Sequence, residues 1–297
     1  MALLHAFGTL RTHQRRGVPS PHKPLSLLWS IARLEAGEDR LVPWEVFEHE
    51  VGGLLVEFGG PGSQVTPHYP FARLRGGIWE VEGIPDGVQD PSPTVLRAAG
   101  ARAGFVPEAA KLLRTAHTRA AAVRLLTWTY FSEADRARIL DRVGLVGYLS
   151  ASGHTAEALD EEATPSGGAP GPVGRRRTTV TRPERNPEWP RQVKKWHEST
   201  CQVCGTPLET LLGRYSEAAH IQGIGSPHEG PDTTSNMLCL CPNHHKQFDL
   251  LGIYIDADWQ VRRTADDTFV ASLRRHPRHR IETAHVAYHR LLCGKAD

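Results

Sequence analysis

The chain has 297 residues, of which 39% are hydrophobic, 23% charged and 7% aromatic, a balance that suits two modest globular domains and excludes a fibrous or wholly disordered chain. Thirty-five Lys plus Arg against 33 Asp plus Glu leave a formal charge of +2, so any surface for a polyanion has to be local. No run approaches the roughly 18 to 20 apolar residues that cross a bilayer, and Met1 to Leu10 lack the pattern of a secretory signal. The expectation is no membrane partner and a cytoplasmic location.

In chain order, His22 to Ala36 reads as a helix, with Pro24 in its first turn and Leu25, Leu28, Trp29, Ala32 and Leu34 on one face. Leu54 to Phe58 and Ile78 to Val81 read as short strands, the second leading into the turn residues Gly83 to Gly87. Ser92-Pro93 opens another helical stretch, Pro107 to Leu113 and Arg119 to Leu126 follow, and Ser132 with Asp135 caps a helix that ends near Gly144. This predicts a helix-rich α+β domain over residues 1–149 with no nucleotide loop or catalytic triad spacing. Residues 150–187 then replace apolar periodicity with Ser, Gly, Pro, Thr and charge, too little apolar surface to offset ordering entropy, which predicts a flexible linker. Arg175, Arg176 and Arg177 within it read as a solvated charge run.

A second domain is expected over 188–297. Pro187 to Ser199 reads as a helix that buries Trp189, Val193 and Trp196, and Cys201 to Gly205 as a tight turn. Glu217 to Ile221 and Met237 to Cys241 read as strands around a polar loop, and Pro242 to Leu250 as a helix entered through proline. Four of the five cysteines fall between Cys201 and Cys241, the clustering of metal-binding thiols in a reducing compartment and not of a disulfide framework. Cys293 reads as a packing residue or spare thiol.

Cys201 and Cys204 can face one tetrahedral ion, and Cys241 with His244 repeats that spacing, giving a Cys₃His site for structural Zn²⁺. Cys239 shares a strand face with Cys241 and competes with it, but His244 completes the pair of Cys241. Beyond these four stand His220 on a strand, Asn236 before the next, and His245 and Asp249 one helical turn apart. Positions i and i+4 share a helix face, so His245 and Asp249 can hold one divalent cation with positions open for phosphate and water. A neutral His220 can take a proton from attacking water, and Asn236 can orient strand and loop through its amide.

These residues resemble the HNH endonuclease motif on a ββα-metal scaffold braced by Cys-x-x-Cys and Cys-x-x-His zinc pairs, over about Cys201 to Tyr254. The resemblance implies His220 as general base, Asn236 as structural amide, and His245 and Asp249 as ligands of a catalytic Mn²⁺ or Mg²⁺, with Co²⁺ or Ni²⁺ as further candidates. Many HNH enzymes carry an additional metal-binding Asp or His just before the base, where this chain has Ala219.

In the first domain, His22 and Lys23 sit at a helix start suited to an anion, and Tyr69-Pro70-Phe71-Ala72-Arg73 mixes small, aromatic and basic residues. Together with Gly77-Ile78-Trp79-Glu80-Val81, these segments resemble the sulfur-binding domain of restriction enzymes that recognise phosphorothioate DNA. The resemblance implies an apolar cup from Tyr69, Pro70 and Ala72 beside Phe71 that accepts sulfur. A phosphate oxygen forced into it would lose water at a cost of roughly 1 to 3 kcal/mol. His22, Lys23, Arg73 and Arg16 would hold neighbouring phosphates. The expectation is a modification-dependent restriction endonuclease acting on double-stranded phosphorothioate DNA, either as a homodimer or through repeated encounters. An HNH enzyme directed to a modified base or a plain sequence, and a non-catalytic zinc-dependent DNA-binding protein, are the alternatives.

Overall fold

A computed structural model describes residues 2–15, 18–60, 62–84, 88, 90–152 and 186–295. Arg16, Arg175, Arg176 and Arg177, and the stretch 153–185, lie outside the described residues. The chain divides into two units, Met1–Leu145 and Val146–Asp297. No helix of the described residues is long and apolar enough to cross a membrane.

The first unit wraps helices around a three-stranded antiparallel sheet in which Arg102–Phe105 lies between Leu41–Pro43 and Trp79–Glu82. Gly104 is required at its centre, because a Cβ there would sit 1.7 Å from the Arg40 carbonyl oxygen. The helix His22–Glu35 forms as its apolar pattern predicts. Leu54 to Phe58 does not form a strand; it is the end of the helix Trp44–Phe58. The buried set Trp44, Phe47, Val51, Leu54 and Leu55 repeats at helical spacing over a longer window, and that tertiary period outweighs the local β propensity of the last few residues.

An aromatic core holds the short helix His68–Arg73 in position. Phe71 meets Trp44 and Phe47 edge-on, each at 5.1 Å between centroids, and the Trp79 indole N–H donates to the Phe71 carbonyl at 3.0 Å. Each such ring pair contributes about 0.5–1.5 kcal/mol beyond its buried area. The core therefore sets the backbone of this helix, and Tyr69 and Arg73 project from it.

In the second unit, Glu217–His220 pairs antiparallel with Met237–Leu240, with Ala219 opposite Leu238 and His220 opposite Met237. The helix Pro242–Asp249 follows, with Pro242 in its first turn. Ala219, Leu238, Leu240 and Phe248 fill the space between hairpin and helix, a ββα unit. A three-stranded meander, Ile253–Ile255, Gln260–Arg263 and Phe269–Ser272, and the helix Thr283–Leu292 complete it. The helix Glu188–Trp196 buries Val193 but leaves Trp189 38% exposed, contrary to the expected three-residue buried face. The expected linker start also differs: Ser150 and Ala151 are buried parts of this unit. Both carbonyls and the Ala151 amide are hydrogen-bonded there.

Candidate functional site

Cys201, Cys204, Cys241 and His244 bring their ligand atoms within 4.8 Å of one another. The turn at Gly205, φ +70°, and the proline-started helix supply the two halves. His244 Nδ1 lies 3.6 Å from Cys201 Sγ and 3.2 Å from Cys241 Sγ, bracketing the roughly 3.5 Å edge of a tetrahedral Zn²⁺ site with S and N ligands. Burial pushes the Cys201 thiol up, while hydrogen bonds from Thr206 and the neighbouring thiols bring that of Cys204 down; a bound cation would favour the thiolate of both. The donor set fits Zn²⁺. Cys239 lies in a separate cluster with Val193 and Met237, its thiol donating to Ser216 Oγ at 3.3 Å, which removes it as a competing ligand.

The neighbouring constellation holds His220, His245 and Asp249 with two carboxylates not anticipated from the sequence. Glu217 Oε2 accepts from His245 Nδ1 at 2.7 Å. An ionised carboxylate only accepts, so Nδ1 carries a proton, and Nε2 faces Asp249, 3.5 Å from its Oδ2. A first-row cation with ligand distances near 2.1 Å spans about 3.0–3.4 Å between two of its donors, so this pair fits a shared ion with little adjustment. The carboxylate–histidine pairing is the usual support for a metal-bound imidazole. Burial pushes the Asp249 carboxyl up, while His245 and Lys246 pull it back. Glu217 lies three residues before His220, and its spacing to a helix 28 residues later carried no local signal.

Asp232 Oδ1 accepts from His220 Nε2 at 2.9 Å, so that nitrogen carries a proton. Asn236 is fully buried. Its Oδ1 accepts from the Gln222 N–H at 2.9 Å, and its Nδ2 donates to the Gln222 and Pro231 carbonyls, both at 2.8 Å. The amide thus clamps the two ends of the loop between the strands and holds Asp232 under His220.

In the first unit, the Tyr69 to Arg73 segment divides by burial. Phe71 is 0% exposed and belongs to the core, so its expected contact with DNA is replaced by support of the helix. Pro70 and Ala72 are buried, Ala72 lining an open recess with Arg73, Arg75 and Asp90, while Tyr69 is 40% exposed. The Arg73 guanidinium lies 4.3 Å over the Tyr69 ring and bonds Asp90 bidentately at 2.6 and 2.8 Å. Asp90, 17 residues on, thus engages the Arg73 guanidinium at two nitrogens, and both side chains are about half exposed.

His22 likewise has both ring nitrogens engaged, Nδ1 with Ser20 Oγ at 2.8 Å and Nε2 with the Gln64 carbonyl at 3.0 Å. In the free chain it ties two loops together. Lys23 stays a cationic candidate: burial, then the neighbouring Arg73 and Arg11, push its ammonium down. Arg11, unremarked in the sequence, thus joins Lys23 and Arg73 in one positive region.

Residues 1–148 match the family profile of the ScoMcrA-like DNA sulfur-binding domain, and residues 201–256 match that of the HNH endonuclease. A comparison with curated proteins finds no match. Among solved structures, the modification dependent TagI restriction endonuclease is 46% identical over 37% of this chain and 39% of its own, with a TM-score of 0.36. The chain thus matches well under half the length of that protein. The sulfur binding domain of ScoMcrA complexed with phosphorothioated DNA is 29% identical over 48% of this chain and 94% of its own, with a TM-score of 0.44. That of SprMcrA, also complexed with phosphorothioated DNA, is 27% identical over 49% and 93%, with a TM-score of 0.44. The chain therefore carries a ScoMcrA-like DNA sulfur-binding domain followed by an HNH endonuclease domain.

Proposed function

We propose that this chain is a modification-dependent restriction endonuclease that binds phosphorothioate in double-stranded DNA through its first domain and hydrolyses a nearby phosphodiester through its second. It acts in the cytoplasm. The observation that carries the reading is the pair of carboxylate-held histidines on one ββα unit: His220 with Asp232, and His245 with Glu217, beside Asp249.

Their roles follow from which nitrogen each carboxylate occupies. Asp232 holds the His220 ring so that Nδ1 accepts the proton of the attacking water, and stabilises the imidazolium that results. Glu217 orients His245 so that Nε2, with Asp249, holds a divalent cation, Mn²⁺ or Mg²⁺ or another first-row ion. When bound, that cation would supply polarisation of the phosphate and charge neutralisation at the leaving 3′ oxygen. Asn236 maintains the loop and takes no part in proton transfer. The zinc cluster braces the start of the metal-bearing helix. Severing both strands requires two nicks, supplied by a homodimer or by repeated encounters.

In the first domain the exposed Tyr69 ring and the recess beside Ala72 suit sulfur, which is larger, more polarisable and a weaker acceptor than oxygen, while Lys23 and Arg11 suit adjoining phosphates. A duplex with one phosphorothioate diastereomer and its all-oxygen counterpart test the reading together. With a divalent cation the wild type nicks the modified duplex, and His220→Ala binds it undiminished without nicking. Equal binding of the two duplexes overturns sulfur recognition, and unimpaired nicking by His220→Ala overturns the assigned base. Tyr69→Ala is expected to erase most of the preference for sulfur while leaving cation-dependent nicking intact.

A further inference from the structure

We propose that the loop 273–281 of the second unit is a phosphate-binding ridge that seats duplex DNA beside the nuclease site, a proposal that rests on the nuclease reading above. Arg274, Arg275, Arg278 and Arg280 fall within this loop, and no Asp or Glu lies between Ala271 and Ile281. All four are exposed. Among the other described residues of this unit, exposed arginines are matched with acids, Arg191 with Glu188, Arg214 with Glu209 and Arg263 with Asp266. The four in the loop have no carboxylate partner among the described residues.

The loop is also fixed in place. At one end the Arg274 N–H donates to the Gln202 carbonyl and Gln202 Nε2 donates to the Arg274 carbonyl, both at 2.8 Å, and Gln202 lies between two zinc-site thiols. At the other end His279 Nε2 donates to the Thr234 carbonyl at 2.9 Å and the Glu282 N–H to the Ser235 carbonyl at 3.0 Å, immediately before Asn236. Arg275 lies 4.7 Å over the Trp259 ring. Four like charges anchored from the zinc cluster to the loop that bears Asp232 repel one another, and an extended polyanion lying across them offsets that repulsion; a nucleic acid backbone supplies that charge.

The test is the full-length triple variant Arg275→Gln/Arg278→Gln/Arg280→Gln beside its Lys counterpart, each read by nicking rate and by the salt dependence of binding to a long unmodified duplex. The Gln variant is expected to nick at least tenfold more slowly. Its salt slope should be shallower by about two to three, because each phosphate that is no longer neutralised takes about 0.9 from the slope, and the Lys variant should recover both. An unchanged slope and rate in the Gln variant, or a Lys variant as impaired as the Gln one, overturns the ridge. Failure of the wild type to nick sinks the nuclease reading instead, and the binding slope remains readable.

A separate set of hydrogen bonds concerns reach: we infer that 146–152 is a strap of the nuclease unit, so that the joint that sets its reach lies at Leu145–Val146. The Ala151 N–H donates to the Asp249 carbonyl at 2.8 Å, and its own carbonyl accepts from Gly223 N–H at 3.1 Å. The Ser150 carbonyl accepts from Nε2 of the buried His228 at 2.8 Å, while Tyr148 meets the same ring edge-on. A Cβ at Gly223 would come within 2.6 Å of the Ala151 oxygen, so the strap's approach requires glycine there. The Leu145 N–H is tied back to its own helix, donating to the Leu140 carbonyl at 2.7 Å.

Cut positions around a single phosphorothioate locate that joint. Ten Gly/Ser residues inserted after Leu145 add about 18 Å of root-mean-square reach, or about five base pairs, and are expected to widen the range of cuts. Ten residues removed from 153–185 are expected to leave it unchanged. A range that follows the length of 153–185 overturns the inference, as does a Gly223→Ala chain whose nuclease unit melts like wild type.

Discussion

Replacing Asn236 separates a structural amide from a chemical one. Asn236→Ala deletes three hydrogen bonds: one accepted from the Gln222 N–H and two donated to the Gln222 and Pro231 carbonyls. Each is worth about 1 kcal/mol net. Pro231 is exposed and Gln222 only partly buried, so water replaces some of what is lost and the larger penalty for buried orphans does not apply. The sum is about 3 kcal/mol, or a fall of about 6–12 °C in the melting midpoint for a unit of this size.

Asn236→Asp keeps the acceptor for Gln222 but sets a carboxylate against two carbonyls, and is expected to be at least as damaging. Thermal unfolding of the full chain, followed by a signal from the second unit, reads both. Nicking should fall in proportion to the folded fraction and recover on cooling below the lowered midpoint. An unchanged midpoint with abolished nicking would refute the clamp and make the amide a participant in chemistry.

Glu217→Gln retains size and an acceptor for His245 Nδ1–H but removes the charge behind the imidazole; calorimetric Mn²⁺ affinity is expected to drop about 10–100-fold, and unchanged affinity would remove Glu217 from the site. Chelation of zinc, or Cys241→Ser, should lower the unfolding transition of the second unit without moving that of the first, with one zinc per chain by elemental analysis before treatment; a metal-free protein with an unaltered transition would contradict the cluster. Burial holds His197 and His289 near 4, against an ordinary 6.5. The unfolded chain therefore takes up protons between those values that the folded chain does not, and stability falls as pH drops from 6.5 toward 4. The slope is up to about 1.4 kcal/mol per pH unit for each ring. Denaturant unfolding across this range should show a shallower slope in His289→Phe.

The features determined by the sequence alone are those whose partners lie close along the chain. The two Cys/His pairs, the His245–Asp249 helix face and the order strand, loop, strand, helix each rest on spacings of a turn or two, which backbone geometry converts directly into position. The amphipathic helix at His22 is legible for the same reason. Groups brought together from far apart along the chain become visible only once it is folded. Nothing near Glu217 marks it as the support of His245, 28 residues away, and nothing near Asp232 marks it as the holder of His220. The same holds for Asp90, which occupies Arg73, and for Gln64, which occupies His22. Leu54 to Phe58 has strand-like residues but helical burial, because a face's period emerges only over the whole length packed against its core. Composition marks where apolar pattern stops; it does not register that Ser150 and Ala151 are bound through their backbone, whose hydrogen bonds are the same for every side chain.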